Sequence, residues 1–173
     1  AYGDYRLNVT ETLELDPATN EGAREDAPSD VGGTLQVASY NVLNYFTTID
    51  VTGAGTGPDG TLDPRGADSA SEFERQSSKI VKGILGTGAE VLALQEIENN
   101  GFGEGSAIDT LVGQINAEGG TNFAYVNPLA EGETHVGTDA IMTGIIYNAD
   151  EVTLVHAEYL VYEESSADTT YAI

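Results

Sequence analysis

With 173 residues, 40 % of them apolar, the chain has room for one domain with a buried core and a short appendage. Six basic residues against 29 acidic ones give a formal charge of -23 and a pI near 4.1. That charge excludes recruitment of a polyanion by bulk attraction and fits the solvated acidic surface of secreted proteins from salty habitats. Cysteine is absent, which excludes disulfides and thiol chemistry, and the longest apolar runs fall far short of the ~20 residues that span a bilayer. A phosphate-bearing partner has to be captured locally, by a metal ion or a few arginines. Salt helps by screening, the Debye length falling to about 3 Å at 1 M.

In chain order, Tyr2-Gly-Asp-Tyr-Arg-Leu-Asn-Val-Thr10 alternates and predicts a strand within an opening segment, 1–15. Residues 16–34, rich in Pro, Gly, Asp, Glu and Ala, predict a linker. The main body, 35–173, begins with the apolar run Leu35 to Asn44, which predicts a buried strand whose apolar stretch stops at Asn41. Asp50 to Ser69 predicts a long loop, its carboxylates Asp50, Asp59, Asp63 and Asp68 solvated rather than spaced for a calcium loop. Ser71 with Glu74 predicts a capping box opening a helix, with Phe73, Ile80, Val81, Ile84 and Leu85 on one face and Gly86 and Gly88 ending it.

A second buried strand, Val91 to Ile97, follows directly, making a βαβ-like step. Ser106 with Asp109 opens a second helix, and Ile108, Leu111, Val112 and Ile115 form its buried stripe. Phe123 to Val126 predicts a short strand, Pro128 to Gly137 a loop, and Ala140 to Tyr147 another strand. Val152 to Tyr162 alternates and predicts the second arm of a hairpin around a turn at Asn148 to Glu151. The last residues, Tyr171-Ala-Ile173, begin a new apolar run, so the sequence reads as cut short.

The chemistry concentrates at two strand ends. Asn41 closes the first apolar run and Glu96 the second. Side by side, the two strands bring an amide oxygen and a carboxylate into one crevice. Such a pair suits a hard divalent cation, which takes oxygen ligands and keeps waters that a phosphate can replace.

The words around these residues carry a resemblance. Val37-Ala-Ser-Tyr-Asn-Val-Leu-Asn-Tyr-Phe46, Arg65-Gly-Ala67, Glu72-Phe-Glu-Arg-Gln76 with Lys79-Ile80, Leu94-Gln-Glu-Ile-Glu-Asn-Asn-Gly101 and Val136-Gly-Thr-Asp-Ala-Ile141 occur in that order. Together they resemble secreted nucleases of the endonuclease/exonuclease/phosphatase superfamily, over about residues 30 to 173. The resemblance implies an α/β (α+β) fold, half of a four-layer α/β/β/α sandwich of the DNase-I-like type: a mixed sheet with two helices on one face. It implies that 1–15 is the end of a preceding accessory β domain. It also implies a secreted enzyme hydrolysing nucleic-acid phosphodiesters with Mg2+ or Mn2+, Ca2+ being a further hard cation of the same kind. Asn41 and Glu96 match the metal and phosphate site, while Arg65 and Asp139 match blocks that contact substrate.

The departures are equally specific. The superfamily's Asp-x-Asn pair, a further aspartate and a C-terminal Asp-His pair do not occur in these 173 residues. His135 and His156 stand in the wrong blocks to replace the histidine, the first reading as a loop residue and the second as an outward strand position. The expectation is an N-terminal half, inactive until joined by a C-terminal half. Two other classes fit the same residues: a catalytically inactive assembly module on this fold, and a phosphatase or phospholipid-cleaving relative.

Overall fold

The structure, a computed structural model, describes Ser29 and residues 31–159. The expected strand at Tyr2–Thr10 and most of the linker, all but Ser29 and residues 31–34, lie outside the described residues. The elements are β1 (Val37–Tyr45), α1 (Ala70–Thr87), β2 (Val91–Glu98), α2 (Ala107–Gly119), β3 (Phe123–Tyr125) and β4 (Ile141–Asn148). They build a mixed four-stranded sheet with two helices, an α+β arrangement. The strand order is β1-β2-β4-β3. β1 and β2 run parallel, joined through α1, and β4 is antiparallel to both of its neighbours, β2 and β3. No helix among the described residues is long and apolar enough to cross a membrane.

Period-two alternation sorts the strands into two faces. Val42, Leu92, Leu94, Met142 and Ile146 turn inward and pack with Ile80, Val81 and Ile84 of α1 and with Ile108, Leu111 and Ile115 of α2. Each fully buried aliphatic side chain contributes roughly 2 to 3 kcal/mol of transfer free energy. The helices approach closely where glycine permits. A Cβ at Gly83 of α1 would lie 2.1 Å from the Tyr40 hydroxyl of β1, and one at Gly144 of β4 would lie 2.8 Å from Ile108 Cδ1 of α2. The opposite face carries Val37, Ser39 and Asn41 on β1 and Thr143 and Ile145 on β4, all exposed. Val37 is 68 % and Ile145 46 % accessible.

Both helices are capped as short polar side chains before an acidic residue dictate. For α2 this is Ser106, whose side chain accepts from the Asp109 N–H. For α1 the cap is Ser69 with Glu72, two residues before the expected Ser71 and Glu74. The Ser69 hydroxyl accepts from Glu72 N, and the Glu72 carboxylate reaches back to Asp68 N at 3.1 Å. The sequence holds two overlapping Ser-x-x-Glu words, and the earlier one satisfies a further backbone donor. At the other end Gly88, in the left-handed region at φ 66°, terminates α1, while Gly86 remains inside it.

The expected hairpin is not formed. Residues 152–159 carry no strand, and 160–162 lie outside the described residues. The reason is topological: β4 already has β2 on one edge and β3 on the other, so a following strand finds no open edge beside it. His156 is exposed, as expected, but on irregular chain rather than on a strand.

Adjacent residues on opposite faces give a direct test. Ile146, fully buried, should lose about 2 to 5 kcal/mol of stability on change to Ala. Ile145→Ala should stay within about 1 kcal/mol, both read by urea unfolding. A second test uses Tyr45, whose ring lies 5.3 Å from that of Phe73 and whose hydroxyl donates to Gln114 Oε1 at 2.9 Å. Burial pushes its phenol up to about 12, against a smaller lowering by the Ser77 hydroxyl. Because the folded value exceeds the unfolded one near 10, this proton favours the native state below pH ~10, and that contribution is lost as the pH rises towards 12. Tyr45→Phe should cost about 1 kcal/mol at neutral pH and flatten the fall in stability across that alkaline window.

Candidate functional site

The site forms where β1 and β2 leave regular pairing. Leu92 and Leu94 face the core, so strict alternation would bury Glu96 and expose Ile97. Instead β2 carries a bulge. Leu94 pairs with Gly144 and Ile97 with Met142, three residues advancing on β2 against two on β4. The extra residue shifts the parity: Ile97 enters the core with 0 % exposure, and Glu96 is left half-buried outside it. The bulge residue adopts φ 64°. Across the pair, β1 advances four residues, Asn41 to Tyr45, while β2 advances two, with Leu43 at φ 53° and Asn44 at φ 51°. Among the described residues these three are the non-glycine positions with positive φ. A left-handed backbone costs an L-residue about 1 to 2 kcal/mol, and such conformations cluster where surrounding structure holds them for function.

Hydrogen bonds do the holding. Asn41 Nδ2 donates to Glu96 Oε1 at 2.8 Å, and the Asn44 N–H donates to Glu96 Oε2 at 3.1 Å. The Asn41 Oδ1 accepts from Leu43 N at 2.7 Å, closing a side-chain turn of the kind asparagine favours. From α1, Gln76 Nε2 donates to Leu43 O at 2.7 Å. Reversing the Asn41 amide would set oxygen against carboxylate and N–H against N–H, so its partners fix its orientation. The two residues singled out at strand ends therefore meet.

An ionised carboxylate offers about four lone-pair positions. Two on Glu96 are taken by N–H donors, and the others remain for a cation. Asn41 has its amide N–H committed to Glu96 and its oxygen to Leu43. As arranged it is a holder of the carboxylate, with one acceptor position to spare. No group of three or more His, Cys, Asp or Glu side chains among the described residues is placed to enclose a metal. Glu96 is thus a lone carboxylate with lone pairs to spare, the kind of group that could serve as one oxygen ligand of a hydrated divalent ion.

Arg65 and Asp139, from separate loops, form an ion pair at 3.1 Å. Asp139 Oδ1 also accepts from Ala140 N at 2.6 Å. Both side chains are exposed, so the pair itself is worth about 0 to 1 kcal/mol. Each is tethered to the same end of the sheet as the first pair. The Asp139 carbonyl accepts from Asn99 Nδ2, one residue past β2, at 2.9 Å. Gly66, beside Arg65, lies so close to β1 that a Cβ would come within 2.6 Å of Phe46 Cβ. No hydrogen bond between described residues joins the two pairs. His135 is a loop residue with its Nδ1 2.8 Å from Thr134 Oγ1, and His156 Nε2 lies 3.8 Å from Glu158. Neither is bonded to Asn41, Glu96, Arg65 or Asp139. Asp50, Asp59, Asp63 and Asp68 are all exposed.

Sequence reasoning missed Glu98 and Asn99. The Glu98 side chain is fully buried. Its Oε2 accepts from Thr47 N (2.7 Å), Thr47 Oγ1 (2.9 Å) and Thr48 N (3.1 Å), and its Oε1 from Thr56 Oγ1 (2.6 Å). It ties the chain leaving β1 and the following loop to the end of β2. The signal available was a carboxylate close after an apolar run, with threonines clustered at 47, 48 and 56 to meet it. Asn99, also fully buried, donates through Nδ2 to the carbonyls of Val136 (2.8 Å) and Asp139, while its Oδ1 has no partner.

Comparison of the chain with protein-family models, with curated proteins and with solved structures finds no match.

Glu98→Ala should cost about 3 kcal/mol, because buried donors lose their acceptor, lowering the melting temperature by roughly 6 to 12 °C. Glu98→Gln keeps a carbonyl oxygen for the Thr47 and Thr48 donors and lets the Thr56 hydroxyl rotate to accept. It should cost about 1 kcal/mol, so calorimetry of the two variants separates a hydrogen-bond clamp from simple space filling.

Proposed function

We propose that this chain is the metal- and phosphate-binding half of a secreted, divalent-metal-dependent phosphodiesterase acting on nucleic acid. In this reading the sheet is one half of a DNase-I-like α/β/β/α sandwich. The observation that carries it is the Asn41–Glu96 hydrogen bond at adjacent strand ends, held by three left-handed residues that a purely structural strand end does not require. The blocks that surround the pair in sequence point the same way.

Glu96 would hold Mg2+ or Mn2+, with Ca2+ as the other hard cation that suits an oxygen site. The bound ion would polarise a phosphoryl oxygen and stabilise charge as it develops. Asn41 fixes the carboxylate in position, and Arg65, which keeps donors beyond its single bond to Asp139, would take up a phosphate oxygen. Neither His135 nor His156 is positioned as a base for the attacking water. That step is assigned to a complementary half-sandwich packed on the open sheet face, where Val37 and Ile145 stand exposed. The same open face and the missing base favour a second reading, an inactive assembly module on this fold.

Titration calorimetry with Mn2+ should find a site on the chain whose affinity falls at least tenfold in Glu96→Gln. Plasmid nicking by the natural protein that carries this chain should fall by two orders of magnitude or more in the same variant, on the order expected for loss of an electrostatic stabiliser. Unchanged metal binding and unchanged nicking in Glu96→Gln would remove the enzymatic reading and leave the assembly module.

A further inference from the structure

Between β2 and α2 the chain reads Asn99-Asn100-Gly101, and this is the one place in the 173 residues where glycine follows asparagine. That dipeptide has a chemistry of its own. Glycine has no Cβ to shield its backbone nitrogen or restrict its backbone, so the nitrogen can reach the carbon of the preceding side-chain amide. The structure shows why both residues stand there. Gly101 is buried at φ 94°, in the left-handed region, and a Cβ on it would lie 3.2 Å from the Thr134 carbonyl oxygen. Asn100 serves two partners of opposite kind. Its Oδ1 accepts from the N–H of Ala107, the first residue of α2, at 2.8 Å, and its Nδ2 donates to Thr47 Oγ1 at 3.0 Å. An ionised aspartate would supply the acceptor but not the donor. The fold therefore requires a pair of residues that is chemically labile.

The same contacts restrain the pair. Loss of the amide nitrogen breaks the bond to Thr47, and turning the amide breaks the bond to Ala107 as well. The Thr47 hydroxyl is itself committed: it donates to Glu98 Oε2 at 2.9 Å and so offers its lone pairs to Asn100. A fully buried carboxylate thus orients the oxygen that holds the amide.

We propose that Asn100 is a site of spontaneous, irreversible deamidation, and that the Thr47 hydroxyl, oriented by Glu98, is the guard that sets its rate. Gly101 N forms a bond to Asn100 Cγ, closing a succinimide ring. The Cγ–Nδ2 bond breaks, and Nδ2 leaves as ammonia with the proton that Gly101 N gives up. One water then opens the ring at either carbonyl, leaving aspartate or isoaspartate. Neither product has a donor for Thr47 Oγ1. Each sets a second carboxylate against the hydroxyl that already serves Glu98, with like charges on either side of one oxygen. The chain leaving β1 is then less firmly held to the end of β2. None of this depends on the phosphodiesterase reading, and the test reads mass rather than activity.

The full chain is aged at mildly alkaline pH, and peptide mapping by mass spectrometry follows the conversion of amide to carboxyl at each asparagine. Asn100 should convert roughly five- to tenfold faster in Thr47→Val than in the native chain, the factor by which losing one hydrogen bond shifts a local opening equilibrium. Thr47→Ser keeps the hydroxyl and should retain the native rate. Ile146→Val removes a comparable amount of stability from the core with the guard intact, and its Asn100 rate should also stay near native. Equal Asn100 rates in the native chain and Thr47→Val overturn the proposal. So does an acceleration of the same size in Thr47→Ser or Ile146→Val, and so does an Asn100 that converts in no variant. Asn100→Asp, made directly, reads the consequence: its urea midpoint should fall below that of the native chain, and an unchanged midpoint overturns the loosening of the loop.

Discussion

The contact on which the site depends is a carboxylate held outside the core by two N–H groups. Glu96 occupies a bulge whose backbone is left-handed, and the Asn41 amide and the Asn44 N–H fasten its two oxygens. Without the bulge, β2 would carry Glu96 into the apolar layer between sheet and helices, where an unpaired charge is prohibitively costly, and would expose Ile97. One inserted residue settles both problems: the isoleucine reaches the core and the carboxylate reaches the crevice. The strain in Leu43, Asn44 and Glu96 is offset by packing on one side and hydrogen bonds on the other. The geometry of the crevice is therefore inseparable from the stability of the sheet beneath it.

Around that contact the loops are fastened by buried polar groups rather than by surface charge. Glu98 gathers the chain that leaves β1, and Asn99 gathers the loop that enters β4. Both follow Glu96 within three residues, so one short stretch of β2 positions the ligand candidate, the Thr47–Thr56 loop and the Asp139 loop. Surface electrostatics, by contrast, are dominated by repulsion at -23. The sole Arg–carboxylate pair among the described residues, Arg65 with Asp139, is exposed and contributes little energy.

Much of this was legible in the residues themselves. The apolar stripes at Ile80–Ile84 and Ile108–Ile115 announced both helices, and the runs at 37–42 and 91–94 announced adjacent strands. The bulge at Glu96 was not legible, because an apolar run such as Val91 to Ile97 predicts a strand buried on both faces, in which Ile97 needs no shift of parity. What was not legible depends on long-range geometry. Whether Ser69 or Ser71 caps α1 turns on which carboxylate can reach back to the preceding N–H. The strand expected at 152–162 failed because β4 is an interior strand, which no local pattern reveals. The role of Glu98 required knowing that the chain beyond β1 folds across it.

The order β1-β2-β4-β3 also has a kinetic meaning. β4, the last strand to be synthesised among these four, lies between two strands made earlier. Until Ile141 to Asn148 has emerged, β2 has a bare inner edge and the three-residue β3 has no partner. Loop-closure entropy must be met for the β2–β4 pairing before its hydrogen bonds are gained, and non-local pairings of this kind slow folding. The four-stranded order can therefore close only once Ile141–Asn148 is available to lie between β2 and β3.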